Sequence, residues 1–350
     1  MIILITGGSG FIGSNLIKLA ISRGHKIINV DAISYAASKE SLKKLENNSN
    51  YFFENADIRN RENIDAILAK YLPETIIHLA AESHVDRSID APIDFIKTNI
   101  TGTFNMLEAA LNFWNNRGKP DNFRFQHIST DEVFGSLPSD PTILFNEDTP
   151  YNPRSPYSAS KASSDHFVRT WYETFKLPIL ITNCSNNFGP NQFPEKLIPL
   201  IIINALSEKL LPIYGKGMNI RDWLYVEDHA NALLCVLENG ITGRSYNIGS
   251  NNEKTNLEIV IMICNILDRL KPRSSGKYSS LISFVKDRPG HDMRYGIDST
   301  RIRNELGWKP LFTFEEALDN TVRWYLNNDD WWAPLIKNKN AMARQGILRL

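Results

Sequence analysis

Short apolar runs alternate with amphipathic stretches through the first half of the chain. The runs IILIT (2–6), KIINV (26–30), YFF (51–53), TIIHL (75–79), FRFQHIS (123–129) and LPILIT (177–182) read as strands. The stretches 12–23, 61–71, 93–115 and 157–175 between them carry apolar residues at helical spacing. Apolar strands separated by helices predict a parallel sheet covered on both faces. Right-handed crossovers make it a doubly wound α/β fold. After residue 183 the rhythm changes: Gly, Pro and Asn become frequent in NNFGPNQFPEK and YGKGMNIRDW, and the strands are short and scattered. This predicts a smaller α/β lobe over the carboxyl edge of the sheet. Helix 227–238 and strand SYNIG (245–249) return to the main lobe, so the two are interleaved: 1–182 with 223–250 in one, 183–222 with 251–335 in the other, and a patternless tail at 336–350.

Composition narrows the function classes. The chain has 350 residues, 42% hydrophobic and 10% aromatic, which supports a sizeable core. Lys plus Arg and Asp plus Glu are 39 each, leaving no electrostatic footprint for nucleic acid or an anionic membrane. Cys184, Cys235 and Cys264 match no zinc spacing and the seven histidines form no HExxH-type pair, so free thiols and no metal are expected. The N-terminal apolar run passes straight into glycines, unlike a signal peptide. No apolar stretch reaches the roughly 18 residues of a membrane span. A soluble cytoplasmic protein is the expectation.

Gly7, Gly10 and Gly13 follow the first strand at the head of the first helix. Glycines there let the backbone turn tightly and approach a pyrophosphate, which faces the free N–H groups of the helix N-terminus. A plain turn would use the same residues. The context favours a Rossmann-type dinucleotide site, because Asp31 closes the second strand. Its carboxylate can accept both adenosine ribose hydroxyls and would repel a 2′-phosphate, which selects NAD over NADP. Asp57 and Ile58 end the third strand, where an adenine can lie.

In SPYSASK (155–161), Ser155 suits a helix cap and Pro156 the first helical position, so Tyr157 and Lys161 share one face. A tyrosine, with a reference pKa of about 10, is a poor base at neutral pH; lowering it by about 3 units requires about 4 kcal/mol. One ammonium about 4 Å away, at an effective dielectric of about 20, supplies that order of interaction. The bland reading is a surface Tyr–Lys pair. With the glycine loop, and with TGGSGFIG, HLAA (78–81), ST (129–130), YSASK and NIG (247–249), the chain resembles the extended short-chain dehydrogenase/reductase superfamily over nearly its whole length. That resemblance implies tightly held NAD, a nucleotide-sugar substrate, and Tyr157 as the base that takes a proton from the sugar C4 hydroxyl.

HISTDEVFGS (127–136) adds Asp131 and Glu132. Once C4 is a ketone, the C5 hydrogen is acidic: one carboxylate can remove it while the other, as an acid, protonates the departing C6 hydroxyl. Neighbouring carboxyls push their pKa values apart and so can divide these roles. Together with AAESHVDRS (80–88), FPEKLIPL (193–200), RDWLYVEDHA (221–230) and DRPGHD (287–292), this stretch resembles the dTDP-glucose 4,6-dehydratase family. The resemblance implies Asp131 as the acid toward the C6 oxygen, Glu132 as the base at C5, Tyr157 as the C4 hydroxyl base, Thr130 hydrogen-bonded near that hydroxyl, and Lys161 on the ribose.

It further implies NAD on Gly7, Gly10, Phe11, Ile12, Gly13, Asp31, Ala32, Ile33, Ser34, Asp57, Ile58, Leu79, Ala80, Ala81, Glu82, Ser83, Thr98, Tyr157, Lys161 and Asn187. The substrate dTDP-glucose would lie on Ser83, Thr130, Asn186, Lys196, Leu197, Pro212, Ile213, Tyr214, Arg221, Asn256, Arg288, Pro289, Gly290 and His291. Arg221 and Arg288 carry guanidinium forks suited to a pyrophosphate; a salt bridge between lobes would also use them. Ala37 stands where many relatives have glycine, and Met218 and Met293 where polar residues are common. Helices 93–115 and 157–175 suit a homodimer through a four-helix bundle, as in the superfamily. Three other readings stay open: a dehydratase of a UDP- or CDP-sugar, a 4-epimerase, against which the acid pair speaks, and a non-catalytic NAD-binding scaffold, against which the full set of Tyr, Lys and acids speaks.

Overall fold

The computed structural model describes residues 1–287 and 290–337. In chain order the strands are β1 (Ile2–Thr6), β2 (Lys26–Val30), β3 (Tyr51–Glu54), β4 (Thr75–His78), β5 (Arg124–Thr130), β6 (Ile179–Cys184), β7 (Asn186–Phe188), β8 (Leu211–Tyr214), β9 (Ile220–Tyr225), β10 (Ser245–Ile248), β11 (Glu253–Thr255) and β12 (Ile282–Val285). The helices are α1 (Phe11–Ser22), α2 (Arg61–Tyr71), α3 (Val85–Asp90), α4 (Pro92–Phe95), α5 (Thr103–Asn116), α6 (Pro156–Phe175), α7 (Leu197–Leu206), α8 (Val226–Asn239), α9 (Asn256–Leu270), α10 (Thr300–Leu306), α11 (Phe314–Asn327) and α12 (Asp329–Lys337). Of the patternless tail, residues 336 and 337 close α12, and 338–350 lie outside the described residues.

Seven strands form one sheet in the order β10-β6-β5-β4-β1-β2-β3, every pairing parallel. Successive side chains of a strand face opposite sides, and the two cores follow from that. Ile3, Ile5, Ile27 and Ile77 pack on one face with α1 and α8. Leu4, Ile28 and Ile76 pack on the other, with α2, α5 and α6. All seven are fully buried, each worth about 1.5–3 kcal/mol relative to exposure. The chain order reverses between β1 and β4, and the crevice at the carboxyl ends of strands at such a switch point is where doubly wound sheets bind ligands.

Sheets β11-β9-β7 and β12-β8 stand apart from the large one. With α7, α9 and α11 they enclose a separate core that includes Phe188, Ile201, Ile213, Trp223 and Leu318. The helix expected over 93–115 is not a single α-helix. It starts as one turn at Pro92–Phe95, widens into a π-helical segment over Ile96–Gly102, and becomes regular only at Thr103. The segment ends where no side chain fits: a Cβ on Gly102 would lie 2.6 Å from Ile58 Cδ1. Asn99 within the segment turns inward, accepting from Glu82 N–H (2.8 Å) and donating to Ser160 Oγ (2.8 Å). Among the described residues no helix is long and apolar enough to cross a membrane.

Candidate active site

A cavity of about 690 Å³ opens at the β1/β4 switch point and runs along the carboxyl ends of the strands. The glycine loop forms one wall. A Cβ on Gly7 would lie 2.7 Å from Ala80 N, and one on Gly13 would lie 2.4 Å from Gly7 O, so no larger residue fits the loop as built. Helix α1 begins without a side-chain cap and without an acid in its first turn, which leaves its dipole and N–H groups facing the cavity. Asp31 accepts N–H bonds from Ser9 (2.9 Å) and Ile33 (2.7 Å), which keep its carboxylate at the cavity edge. A glycine cradle, an uncapped helix start and an acid at the next strand's end fit a dinucleotide.

The opposite end is drier. Thr130 ends β5, and its Oγ1 accepts from Glu132 N–H (3.3 Å), starting the short 3₁₀ turn Asp131–Phe134. Three residues per turn set successive side chains about 120° apart, so the adjacent acids diverge. Asp131 is 2% exposed, and one of its carboxylate oxygens is buried with no hydrogen-bond partner. Burial first, then the charges of Glu132 and Asp222, push its pKa well above the carboxylate range, against the pull of Arg221. Glu132 is only half-buried. The surroundings of one acid thus favour its protonated form, beside a second carboxylate and in the same cavity as Tyr157.

Ser155 and Ser158 form a reciprocal cap for α6, each side-chain oxygen accepting the other's N–H at 3.0 Å, with Pro156 in the first turn. Tyr157 and Lys161 then share the inner face, one turn apart. The titration of Tyr157 departs from the expectation. Burial, then Glu132 and Cys184, raise its pKa well above 10, against a hydrogen bond with Thr130. Lys161 Nζ donates to the Ile128 carbonyl (2.8 Å) and lies 3.5 Å from His127 Nε2, and its charge does not outweigh that burial. Burial also lowers the pKa of Lys161, with Asp165 and Cys184 working the other way. Cys184 lines the cavity as an inert thiol, pushed up to about 12 by burial first.

Of the residues expected on the cofactor, only Ile33 does not line this cavity. It sits at φ +51°, unusual for a β-branched residue, while its N–H closes the turn onto Asp31. Asp57 lines the cavity but is shared with Arg59, whose Nη2 lies 2.6 Å from its Oδ2. Of the residues expected on the substrate, Ser83, Thr130, Asn186 and Lys196 line it. Leu197, Pro212, Ile213, Tyr214, Arg221, Asn256, Gly290 and His291 do not. Arg288 and Pro289 lie outside the described residues. Some of the non-lining set meet each other: Tyr214 OH donates to Asp86 (3.4 Å) and its ring meets His291 edge-on. Arg221 is buried, its guanidinium donating to the carbonyls of Ile220 (2.7 Å) and Asp292 (2.9 Å) and lying over the Tyr295 ring.

The sequence reading passed over a cluster at the cavity's rim. Arg87 lies 3.5 Å over the ring of Tyr35, Tyr35 OH donates to Glu195 (3.0 Å), and His84 and Arg87 approach the same carboxylate. Arg87 and Glu195 lie inside the stretches AAESHVDRS and FPEKLIPL. Nothing in either stretch alone says that they meet.

With the geometry in place, comparison with known proteins decides the family. The family model described as GDP-mannose 4,6 dehydratase matches residues 4–321. The dTDP-glucose 4,6-dehydratase of Neisseria meningitidis serogroup B is 53% identical over 350 residues, 98% of each chain. An Escherichia coli dTDP-glucose 4,6-dehydratase is 53% identical over 99% of this chain and 100% of its own. The chain belongs to the dTDP-glucose 4,6-dehydratase family. Its solved members superpose closely. The Bacillus anthracis enzyme, crystallised in complex with NAD, is 43% identical with a TM-score of 0.85, covering 96% of this chain and 99% of its own. The Streptomyces venezuelae enzyme, with NAD bound, is 39% identical with a TM-score of 0.87, covering 96% and 100%.

Proposed function

We propose that the chain is an NAD-dependent dTDP-glucose 4,6-dehydratase, forming dTDP-4-keto-6-deoxyglucose in deoxysugar nucleotide synthesis. The carrying observation is the buried Asp131 beside Glu132, in one cavity with Tyr157 and the glycine loop. NAD, when bound, supplies a reversible hydride store, so that the hydrogen lost from C4 is regained at C6. Tyr157, hydrogen-bonded to Thr130, takes the proton of the C4 hydroxyl; since burial raises its pKa, that role requires the charge of Lys161, together with the positive charge NAD would bring when bound, to draw the phenol back down. Glu132 then removes the C5 hydrogen, and Asp131 gives its proton to the C6 oxygen as water leaves. The raised pKa of Asp131 suits this step, because only a carboxyl still protonated near neutral pH can act as the acid.

Gly7, Gly10, Gly13 and Asp31 would hold the cofactor's pyrophosphate and ribose, Lys161 its second ribose, and Lys196, Arg221 and the 288–291 segment the sugar nucleotide. In this reading residues 1–182 with 223–250 carry the cofactor, while 183–222 with 251–335 carry the sugar nucleotide. A cytoplasmic location is part of this reading, supported by the free thiols Cys184, Cys235 and Cys264. A homodimer follows from the outer faces of α5 and α6, where exposed Phe104, Phe167 and Phe175 crowd Trp171; light scattering that gives a monomer would overturn it. The function is tested by incubating NAD-loaded protein with dTDP-, UDP- and CDP-glucose and following products by NMR. A 4-keto-6-deoxy product from dTDP-glucose is expected. A 4-epimer without loss of water, or preference for another nucleotide, would replace the reading.

A further inference from the structure

Beneath the reacting groups lies a carboxylate that the proposed steps do not use. Asp165 is 0% exposed and sits one turn beyond Lys161 on the inner face of α6. Its Oδ2 accepts from Ser129 Oγ (2.7 Å), Tyr151 OH (2.9 Å) and Asn183 Nδ2 (3.4 Å), and its Oδ1 meets His127 Nε2 at 3.1 Å. A lone buried carboxylate would take up a proton rather than stay charged. Here burial pushes its pKa up, but the bond from His127, that ring's charge at pH values where it is protonated, the charge of Lys161 and the bond from Ser129 together hold it below the ordinary value; above a pH of about 4, where His127 is neutral, the bonds and Lys161 remain. Asp165 is a buried anion.

Its partners are the parts that set the site. Ser129 and Thr130 are neighbours at the end of β5, and Asn183 Nδ2, besides reaching Asp165, donates to the Thr130 carbonyl (3.2 Å). A carboxylate only accepts, so His127 Nε2 carries the proton of this neutral imidazole, and burial first and then Lys161 hold the ring's pKa down to about 4. Lys161 therefore has no acceptor in His127. Its ammonium spends one donor on Ile128 O and still lines the cavity.

We propose that Asp165 is a positioning residue for the dehydratase reaction: it is the buried counter-charge to Lys161, and it clamps the ends of β5 and β6, with Thr130, against the helix that carries Tyr157. The inference rests on the proposed function only for its readout. The groups that bear on Lys161 and Asp165 support the sign. From the strands they are His78 and His127, both kept neutral by burial, and Cys184, kept as a thiol. From the 3₁₀ turn comes Asp131, held protonated. From the loop before α6 comes Tyr151, held as a phenol by burial and by Asp165 itself. On α6 is Arg169, which meets Tyr151 at 3.5 Å. The 3₁₀ turn also carries Glu132, a half-buried carboxylate whose charge bears on Asp131 and Tyr157, while the carboxylate whose charge bears on Lys161 is that of Asp165.

Asp165→Asn keeps the shape and an acceptor and removes the charge. Lys161 then loses its proton at lower pH, and the Tyr157 phenolate is less well compensated. In the holoenzyme, the rising limb of the pH profile for C4 oxidation should move up and the falling limb down. The rate near neutral pH should fall about tenfold or more, one pKa unit being worth a factor of ten, while KM for dTDP-glucose stays within about twofold. NAD affinity, titrated by tryptophan fluorescence, should fall off at lower pH than in the wild type. A role in folding alone would lower the melting temperature and leave both pH profiles of the folded protein where they were, and that result would overturn the proposal. Should the variant not fold, ¹⁵N NMR of the Lys161 side chain in the wild type, assigned with Lys161→Arg, decides the point: an ammonium at pH 8 supports the pairing and a neutral amine overturns it. Failure of the wild type to dehydrate dTDP-glucose would count against the function. The NAD-affinity profile would still judge Asp165.

Discussion

The two ends of the cavity solve different problems with the same residue type. At the sheet centre, Asp131 and Asp165 are 2% and 0% exposed and lie on the 3₁₀ turn after β5 and on a long helix. At the adenosine side, Asp31 is tied to two backbone N–H groups, and Asp57 is half-buried against the exposed Arg59. Where water is excluded, partners decide protonation: Asp131, with an orphaned oxygen beside Glu132, is pushed up, and Asp165, with four donors, is pulled down. At the adenosine side burial raises the pKa of Asp31 as well, 7% exposed, and the Ile33 and Ser9 N–H groups draw it back, while Asp57 and Arg59 face water, which screens their charge. The proposed function assigns chemistry to the first end and retention of the cofactor to this wetter one.

Substitutions at the two ends should therefore differ in size and kind. The largest effects are expected at the reacting groups. Tyr157→Phe should slow C4 oxidation by about 10²–10⁴-fold, read as single-turnover nicotinamide absorbance. Glu132→Gln should leave that signal while loss of water falls by a similar factor. Equal loss of both steps in Glu132→Gln would remove it as the C5 base.

Asp131→Asn should separate activity from stability. A carboxyl whose pKa is raised on folding contributes stability fully below its unfolded value of about 3.9 and loses it as pH rises through the folded value. At pH 7 the wild type bears that loss and the amide does not. The variant should melt higher than the wild type at pH 7, with the gap closing toward pH 4, while dehydration falls. An unchanged melting difference between the two pH values would show that Asp131 is ionised in the fold.

At the wet end the effects shrink. Asp31→Asn should weaken NAD binding about tenfold, the worth of one charged hydrogen bond, with turnover at saturating NAD near that of the wild type. Asp57→Asn should change NAD affinity by no more than about threefold, because its partner Arg59 is exposed and such pairs contribute little. If Asp57→Asn proved costlier than Asp31→Asn in the same titration, the contrast between the two ends would collapse.

Much of the site was legible locally. Gly7, Gly10, Gly13 and Asp31 sit at fixed offsets from strands that their own apolar runs declare. Tyr157 and Lys161 share a helix whose cap, Ser155–Pro156, is written in five residues. The protonation of Tyr157 was not legible in the same way. The spacing puts an ammonium one turn away, but the direction of Lys161 Nζ depends on the Ile128 carbonyl of another strand. The break at Ile96–Gly102 was also hidden, since the apolar spacing of 93–115 is helical and the widening answers to Ile58 and Glu82, distant in sequence. The triangle of Tyr35, Arg87 and Glu195 joins two loops and α3, whose meeting no local pattern encodes.

The sequence by itself determined the strand–helix alternation through residue 182, the glycines between β1 and α1 and the residue types at the proposed reacting end. Those depend on periodicity, backbone freedom and short offsets, which act within a few residues. The tertiary structure alone decided which of these groups carry protons. Burial and the charges of Glu132 and Asp222 shift Asp131 well above the ordinary carboxylate value, whereas hydrogen bonds and nearby positive charge, brought together by the sheet, hold Asp165 below it against the same burial.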